Sequence, residues 1–598
     1  SATVSWSAPS ADDVSKYYVY QADSSSSGWS SFSVVDTTTG LTSTATTVTG
    51  LTNGTRYSFY ITSIDTSNYQ SVASSDIKLT PFYDGPVWYV DDGSGAGSHE
   101  GSSDDPFREI QDAIDVASVG DTVLVLPGTY DRPDDQELEF VTSNTNGNDT
   151  GKNIVLMSRD GAATTFLDGE NKRVFEIVNG TDTTLQIIGF TITASNGGED
   201  NVLNTSYNLG QGAVVKIHGN SFWDNTTQQN TYVYSAATFR NCIFTMFDSG
   251  DLEAGSNWED VAVDVSGGVV VFDNCEFTNI TVDYSNLNTD AFGGAIRVGN
   301  PYGSNTSSPG KLYLNKSKIT NITIKRNNDH YLHAAAVMVG TATDIFVSIT
   351  NSIIADNLAY FESNNNSYQP SGGAIKVRGG QLQLINSTIV NNELKTDGDY
   401  AEGSAISASD WSNDGNTPYI TMFNSIVHGN TITTSNGSNQ NNQIKIYDWN
   451  DGVEAYFSYS IIQGDDDFGG DDILHVEPSF LDTTYALHPR SAAIGTGISE
   501  GEDVLGNIVN APQTDFAGNV RPNPAGSNPD IGAWENSLAV SPYPDSPTDL
   551  FATEDNQSVL LLWSAPDARD VVQYRIYYSD ESDSTNFTLV DSTTGLYS

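Results

Sequence analysis

The sequence predicts an all-β protein: a right-handed parallel β-helix with a short N-terminal capping helix, flanked by β-sandwich modules. Three observations carry this reading. NSIIADN (351–357), NSTIVNN (386–392) and NSIVHGN (424–430) repeat nearly the same seven residues at intervals of 35 and 38. GGAIRVGN (293–300) and GGAIKVRGG (372–380) form a second motif ahead of these, with weaker copies AAAVMVG (334–340) and GSAISAS (403–409). The segments 1–43 and 546–598 resemble each other, with Trp563 answering Trp6 and DSTTGL answering DTTTGL.

The length and composition agree with a multi-domain β protein. A chain of 598 residues is too long for one ordinary core. Gly, Asn, Ser and Thr are abundant, and the apolar segments are short and β-branched. The net charge is -51, from 76 acidic and 25 basic residues. This disfavours nucleic acid and anionic membranes, whose recognition needs clustered cations. No run of 18 apolar residues marks a membrane helix. The chain begins at SATVSW, in what reads as mid-domain, so the lack of a secretory signal carries no information.

Aligned on its first position, the opening motif recurs at GFTITAS (189), GNSFWDN (219), NCIFTMF (241), NCEFTNI (274), KSKITNI (316) and YSIIQGD (459). The unequal steps suit one fixed strand per turn joined by loops of free length. A third short strand lies between the two motifs, as in KLYLN (311–315), IFVSITN (345–351), QLQLIN (381–386) and YITMFN (418–424). Three alternating strands per turn describe a parallel β-helix whose coils stack at about 4.8 Å. Ile354, Ile389 and Val427 then form an inward ladder. Asn357, Asn392 and Asn430 stack at a corner, where Asn tolerates left-handed backbone and its amides can bond along the axis. Cys242 and Cys275 share a column, either as stacked buried thiols or as a vertical disulfide.

A solenoid must cover its ends. SSDDPFREIQDAIDVASVGDTVLVLPGTY (102–130) predicts one amphipathic helix, with Asp105 as N-cap, Pro106 at the first helical position, and Phe107, Ile110, Ile114 and Ala117 on its apolar face. VEPSFLDTTYALHPRSAAIGTGI (476–498) and DFAGNVRPNPAGSNPDIGAWE (515–535) lose the coil pattern and read as a closing cap. The predicted organisation is a sandwich module over 1–81, the β-helix over 82–541 with caps near 88–130 and 476–537, and half a second module over 542–598.

The segment WYVDDGSG…DDPFREIQDAIDVASVGDTVLVLPGTY resembles the opening of secreted bacterial β-helix proteins of the pectate-lyase-like superfamily. DFAGNVRPNP…DIGAWE resembles the terminal segment of the choice-of-anchor Q group within it, and GGAI followed by I/F-x-x-N resembles the repeats of chlamydial polymorphic outer-membrane adhesins. The likeness covers about 88–537 and is specific to family rather than activity. Trp6 and GLTNGTRYSFYI (50–61) resemble a fibronectin type III domain lacking its first strand; Leu51 and Tyr57 would form its corner. The half-module at the C-terminus implies either an interior piece of a longer polypeptide or completion by a neighbouring copy.

Polysaccharide lyases of this fold commonly use a Lys or Arg base beside Ca²⁺-binding carboxylates, and the nearest match is Lys376 and Arg378. Alternation turns both outward, and Arg297 shares the Lys376 column two coils away, about 10 Å off. Met338 and Ser407 complete that column with no acidic strand beside it, so solvated outward charges are expected. The acidic run GDDDFGGDD (464–472) offers Asp465, Asp466, Asp467, Asp471 and Asp472 as oxygen ligands for Ca²⁺, without EF-hand spacing. Trp411, Trp449, Tyr456 and Tyr360 lie in or near loops, where rings could stack on sugars. No Ser-His-Asp order, Gly-rich phosphate loop or HExxH is present.

These features point to a non-catalytic adhesive or structural protein, secreted or on a bacterial surface, displaying loops such as 196–210 and 248–260. Its expected partners are an extracellular polysaccharide or another copy of itself. The alternatives are a polysaccharide lyase or hydrolase, and a filament subunit joined through the terminal modules.

Overall fold

The structure is a computed structural model of the chain. It describes every residue except 11, 26–27, 96–98, 132–136, 143–148, 170–172, 195–213, 225–228, 249–260, 286–289, 301–309, 328–329, 343, 363–369, 410–416, 440–441, 448–451, 465–469, 541–547, 556–557, 565–572, 579–587 and 595–598. It forms two compact units, Ser1–Tyr89 with Ser94–Phe107, and Val90–Gly93 with Arg108–Ser598. No helix among the described residues is long and apolar enough to cross a membrane.

The first unit is an antiparallel sandwich. Ala2–Ser5 pairs with Ala45–Val48, while Val14–Ser25 lies between Ser33–Thr39 and Tyr57–Asp65. Val4, Tyr17, Val19, Tyr57 and Phe59 alternate into the space between the sheets, with Trp6, Leu41 and Leu51 packed against them. Trp6 meets Tyr17 edge-on at 5.2 Å. The expected corner is present, with the Thr52 amide donating to the Tyr57 hydroxyl at 2.9 Å.

The second unit is a parallel β-helix of three sheets. Sheet A runs from Thr122–Val125 to Glu454–Ser458, sheet B from Gly128–Asp131 to Ile461–Ile462, and sheet C from Leu138–Glu139 to Ile444–Tyr447. Ile319, Ile354, Ile389, Val427 and Ile462 are successive register partners on sheet B, so the inward ladder is continuous. The GNSFWDN copy is not a coil. Asn220–Asp224 folds back on Gln229–Val233 as an antiparallel hairpin, and Thr191 pairs directly with Ile243. The 52 residues from 189 to 241 are therefore one turn with an insertion, which accounts for the unusually short spacing after 219.

The seven-residue motif builds both corners of sheet B. Its first position takes left-handed backbone in every true copy: Gly189, Asn241, Asn274, Lys316, Asn351, Asn386, Asn424 and Tyr459 have φ between 45° and 77°. The next position is a Ser ladder. Ser317, Ser352, Ser387, Ser425 and Ser460 each accept from the backbone amide one coil upstream, at 3.0–3.3 Å, starting from Cys275. Cys242 and Cys275 occupy the same column upstream. Both are buried free thiols whose Sγ atoms donate to backbone carbonyls, so the bridged alternative is not formed. At the far corner the left-handed residue is the one before the closing Asn, at Asp356, Asn391 and Gly429, and not the Asn itself. Asn357, Asn392 and Asn430 are buried, and each amide donates to the next along the axis at 2.8 Å, ending on Gln443 Oε1. The second motif makes the corner before sheet C. Gly372 has φ +73°, and a Cβ on Gly373 would lie 2.1 Å from the Ser404 carbonyl oxygen.

The capping helix spans Ile110–Val116, with Glu109 at its N-cap position. It begins later than Asp105-Pro106 suggests, because the Asp105 amide instead closes a turn on Ser102. Ile110, Ala113, Ile114 and Ala117 are its buried face, and the Lys152 ammonium donates to the carbonyls of Ile114 and Asp115 at its C-terminus.

The turn-rich C-terminal segment does more than follow the last coil. Leu474 continues beside Ile461, and the chain then runs back along the outer face of sheet B. There Tyr485, Leu487, Ile494 and Ile531 pack on Ile353, Val390, Ile426 and Ile461. The same outward column upstream holds Lys318 and Glu276, so the face becomes apolar where this strap covers it. The left-handed Asn residues fasten the strap: Asn351, Asn386 and Asn424 donate to the carbonyls of Thr514, Asp530 and Ile498. Within the strap, DFAGNVRPNP…DIGAWE closes on a buried ion pair, Arg521 Nε to Glu535 Oε2 at 3.1 Å, with Asp515 and Asp530 accepting backbone amides around it. Beyond the strap, Thr548–Asp555 pairs with Ser558–Ser564 and Tyr574–Tyr578 with Thr588–Thr593. Trp563 meets Tyr574 edge-on at 5.3 Å, as Trp6 meets Tyr17.

The amide ladder yields a direct expectation. Asn392→Ala removes a buried group bonded to coils on both sides and lowers stability by about 2 kcal/mol or more. Asn436→Ala, in an exposed turn, changes it by less than about 0.5 kcal/mol. Urea unfolding of the two variants checks the contrast.

Candidate functional site: a buried basic cluster on sheet C

Sheet C strands are two to four residues long, so only one or two side chains per strand point away from the interior. Ile375 and Val377 face inward and Lys376 faces out. Register places the outward residues in one column: Glu176, Lys216, Asp264, Arg297, Met338, Lys376, Ser407 and Lys445. Arg297 and Lys376 are thus two coils apart, as their motifs predict. The sequence reading missed Asp264, whose strand Val263–Ser266 lacks the GGAI corner. Arg297 lies on it through Nη2 at 2.9 Å and Nε at 3.0 Å.

A second column runs beside the first, through Phe292, His333, Ser371 and Glu402. His333 Nδ1 is 2.9 Å from Ser371 Oγ, and its ring stacks on Phe292 and Tyr331. The Arg378 guanidinium lies 5.6 Å from the Phe292 centroid. Lys376 Nζ donates to Ser407 Oγ at 3.0 Å and lies 5.9 Å from the Tyr447 centroid. Lys445 pairs with Glu402 at 3.6 Å.

The expected solvated charges are therefore buried. Arg297, Lys376 and Arg378 are 3%, 2% and 8% exposed. Alternation gave the direction of these side chains correctly. It could not show which groups close on them: Asp264 on Arg297, Ser407 and the Tyr447 ring on Lys376, and the Phe292 ring on Arg378. Burial and the adjacent Arg378 guanidinium, partly offset by Glu402, push the Lys376 ammonium down to about 7. Burial and the same two cations push His333 well below its ordinary value, so it is neutral. Burial raises Glu402, against the pull of Lys445 and Lys376.

The other candidates separate. Asp465, Asp466, Asp467, Trp411 and Trp449 lie outside the described residues, as do 196–210 and 249–260 of the two long inserts. Asp471 and Asp472 are exposed. The Tyr360 ring lies 5.2 Å from Lys395 Nζ and its hydroxyl reaches Asp397 at 3.4 Å, while Tyr456 is half-buried. A group not singled out from sequence, Glu137, Glu139 and Glu176, brings carboxylate oxygens within 4.8 Å of one another. Arg173 pairs with two of them and His218 Nε2 with Glu176, which makes the group an ion-pair cluster.

Residues 1–77 match the family model described as the fibronectin type III domain. The chain therefore opens with a fibronectin type III module. No curated protein matches the chain. Among solved structures, the Yersinia enterocolitica family 28 exopolygalacturonase is 13% identical, covering 79% of this chain and 93% of its own, with a TM-score of 0.20. Pectate lyase PelI from Erwinia chrysanthemi, in complex with tetragalacturonic acid, is 9% identical, covering 76% and 100%, with a TM-score of 0.14. Pectate lyase Pel3 from Pectobacterium carotovorum is 11% identical, covering 76% and 95%, with a TM-score of 0.11. At scores this low the β-helix rests on the strand register of this chain, not on these likenesses.

The low-lying Lys376 has a signed pH consequence. Its folded value is below the ordinary 10.5, so folding favours the uncharged amine. The stability this gives is present above the ordinary value and is lost as pH falls towards about 7. Lys376→Met removes this part of the pH dependence, so the difference between wild-type and variant denaturant midpoints changes across that window and is flat below it.

Proposed function

We propose that this chain is a non-catalytic extracellular rod that displays its loops and contacts glycans along its flank. One observation carries this reading: Arg297, Lys376 and Arg378, the side chains best suited to chemistry, are buried and bonded or stacked against neighbouring side chains. Substrate laid against sheet C would have to break these contacts, Asp264 from Arg297, Ser407 from Lys376 and Phe292 from Arg378, to use them. The axial Ser and Asn ladders and the strap support a stiff scaffold, and the acidic composition suits a soluble surface away from polyanions.

A specific observation favours a second reading. Lys376, pushed down to about 7, is in part the neutral amine at neutral pH, the state a general base needs, and a polysaccharide lyase would use it to take a proton from an acidic sugar. The two readings differ in products. Incubated with a broad panel of neutral and acidic polysaccharides, the rod binds one or more and releases nothing. Unsaturated sugars that disappear in Lys376→Ala, with binding retained, would replace the first reading by the second.

A further inference from the structure

Sheet A turns a different kind of face outward. Its first outward column runs from Lys311 through Phe346, Gln381 and Tyr419 to Glu454, one register step at a time. The second runs beside it, from Tyr313 through Gln383 and Thr421 to Tyr456. The C-terminal strap occupies the middle of the second column: Gln383 Nε2 donates to Asp503 at 3.3 Å, and the Val504 amide donates to Thr421 Oγ1 at 3.0 Å. Among the described residues no strap hydrogen bond reaches the first column, whose Phe346, Gln381 and Tyr419 are half-buried. Tyr313 widens the apolar surface at one end, its ring 5.6 Å from that of Phe346.

The column repeats ring, amide, ring. Phe346 and Tyr419 are two coils apart, about 9.6 Å, with Gln381 midway. In a β-1,4-linked sugar chain each residue is turned over relative to the last, so alternate residues present the same apolar face at close to this repeat. An aromatic ring matches that face, and a primary amide both donates to and accepts from the hydroxyls of the sugar between. Charge selects among such chains. Lys311 and Glu454 close the column with opposite signs and no charged residue stands between them, while a net charge of -51 repels acidic polymers. We propose that this column binds a neutral β-1,4-linked polysaccharide laid along the solenoid axis, with Phe346 and Tyr419 under alternate sugars and Gln381 bonded to the one between. The proposal rests on the reading of the chain as a glycan-contacting rod and gives that reading a surface and a ligand class.

The test titrates the full chain with cellohexaose and xylohexaose, against maltohexaose and polygalacturonate. The β-1,4-linked chains bind, and affinity rises sharply from disaccharide to trisaccharide, the shortest chain that spans both rings. Phe346→Ala and Tyr419→Ala each weaken binding about ten-fold, Tyr419→Phe retains it, and Tyr400→Ala, at an exposed ring off this column, leaves it unchanged. Hydroxyl-radical footprinting of the wild-type chain, which needs no variant to fold, shows Phe346 and Tyr419 protected by cellohexaose. Cellohexaose bound with protection and loss of affinity confined to other residues overturns the proposal and leaves the rod a glycan binder. Equal binding of maltohexaose, or a preference for polygalacturonate, overturns the ligand class. Binding of no neutral chain also overturns it, and the glycan-contacting reading falls with it only if the acidic chain fails to bind as well. Self-association that Phe346→Ala abolishes, with no sugar bound, gives the column to a second copy and overturns the proposal too.

Discussion

A parallel coil must turn about three times per lap without leaving buried backbone groups unpaired, and this requirement shapes the molecule. Each sharp corner needs a residue with positive φ, which costs a non-glycine residue roughly 1–2 kcal/mol. It also turns backbone amides away from the strand ladders. Here the first demand falls mostly on Asn, Asp or Gly at fixed positions, with Lys316, Ala334 and Tyr459 as exceptions, and the second on the neighbouring Ser or Asn, whose side chain accepts the stray amide from the coil upstream. Because each bond spans two coils, the corners also hold the stack in register. Gly373 shows how little slack remains, with one extra carbon colliding with the next coil's carbonyl.

The strap follows from those same corners. A left-handed Asn directs its amide outward, and at 351, 386 and 424 that amide meets a backbone carbonyl of the C-terminal segment. Residues chosen to turn the chain thereby become the attachment line for a second layer. Burying Ile353, Val390, Ile426 and Ile461 beneath it contributes on the order of 1.5–3 kcal/mol per side chain. The conspicuous motif DFAGNVRPNP…DIGAWE is thus explained by structure: its Arg and acids close the strap on itself. On another face of the coil, sheet C gathers its charged residues in columns, with rings beside Lys376 and Arg378, and the low-lying state of Lys376 follows from its burial there.

What could be read in the sequence was whatever repeats at coil spacing. The inward ladder of Ile354 and Ile389, the three strands per turn and the shared column of Arg297 and Lys376 all follow from periodicity. The errors have local causes. Gly219 fitted the motif but lies beside a hairpin, because seven residues cannot distinguish pairing with the next coil from pairing with themselves. The left-handed residue is Asp356 and not the Asn357 that the motif suggests, since both have turn-forming chemistry. Asp264 and the apolar outer face of sheet B depend on partners distant in sequence, and no repeat announces them.

The account stands on coil-over-coil register, and one distance tests it. Lys311 and Glu454 are exposed on sheet A and joined by four successive register steps, through Phe346, Gln381 and Tyr419. Spin labels at these two positions should report backbones about 19 Å apart in a narrow distribution, four times the strand spacing. A broad distribution, or one centred beyond about 30 Å, would contradict the stacked solenoid and every contact inferred from it.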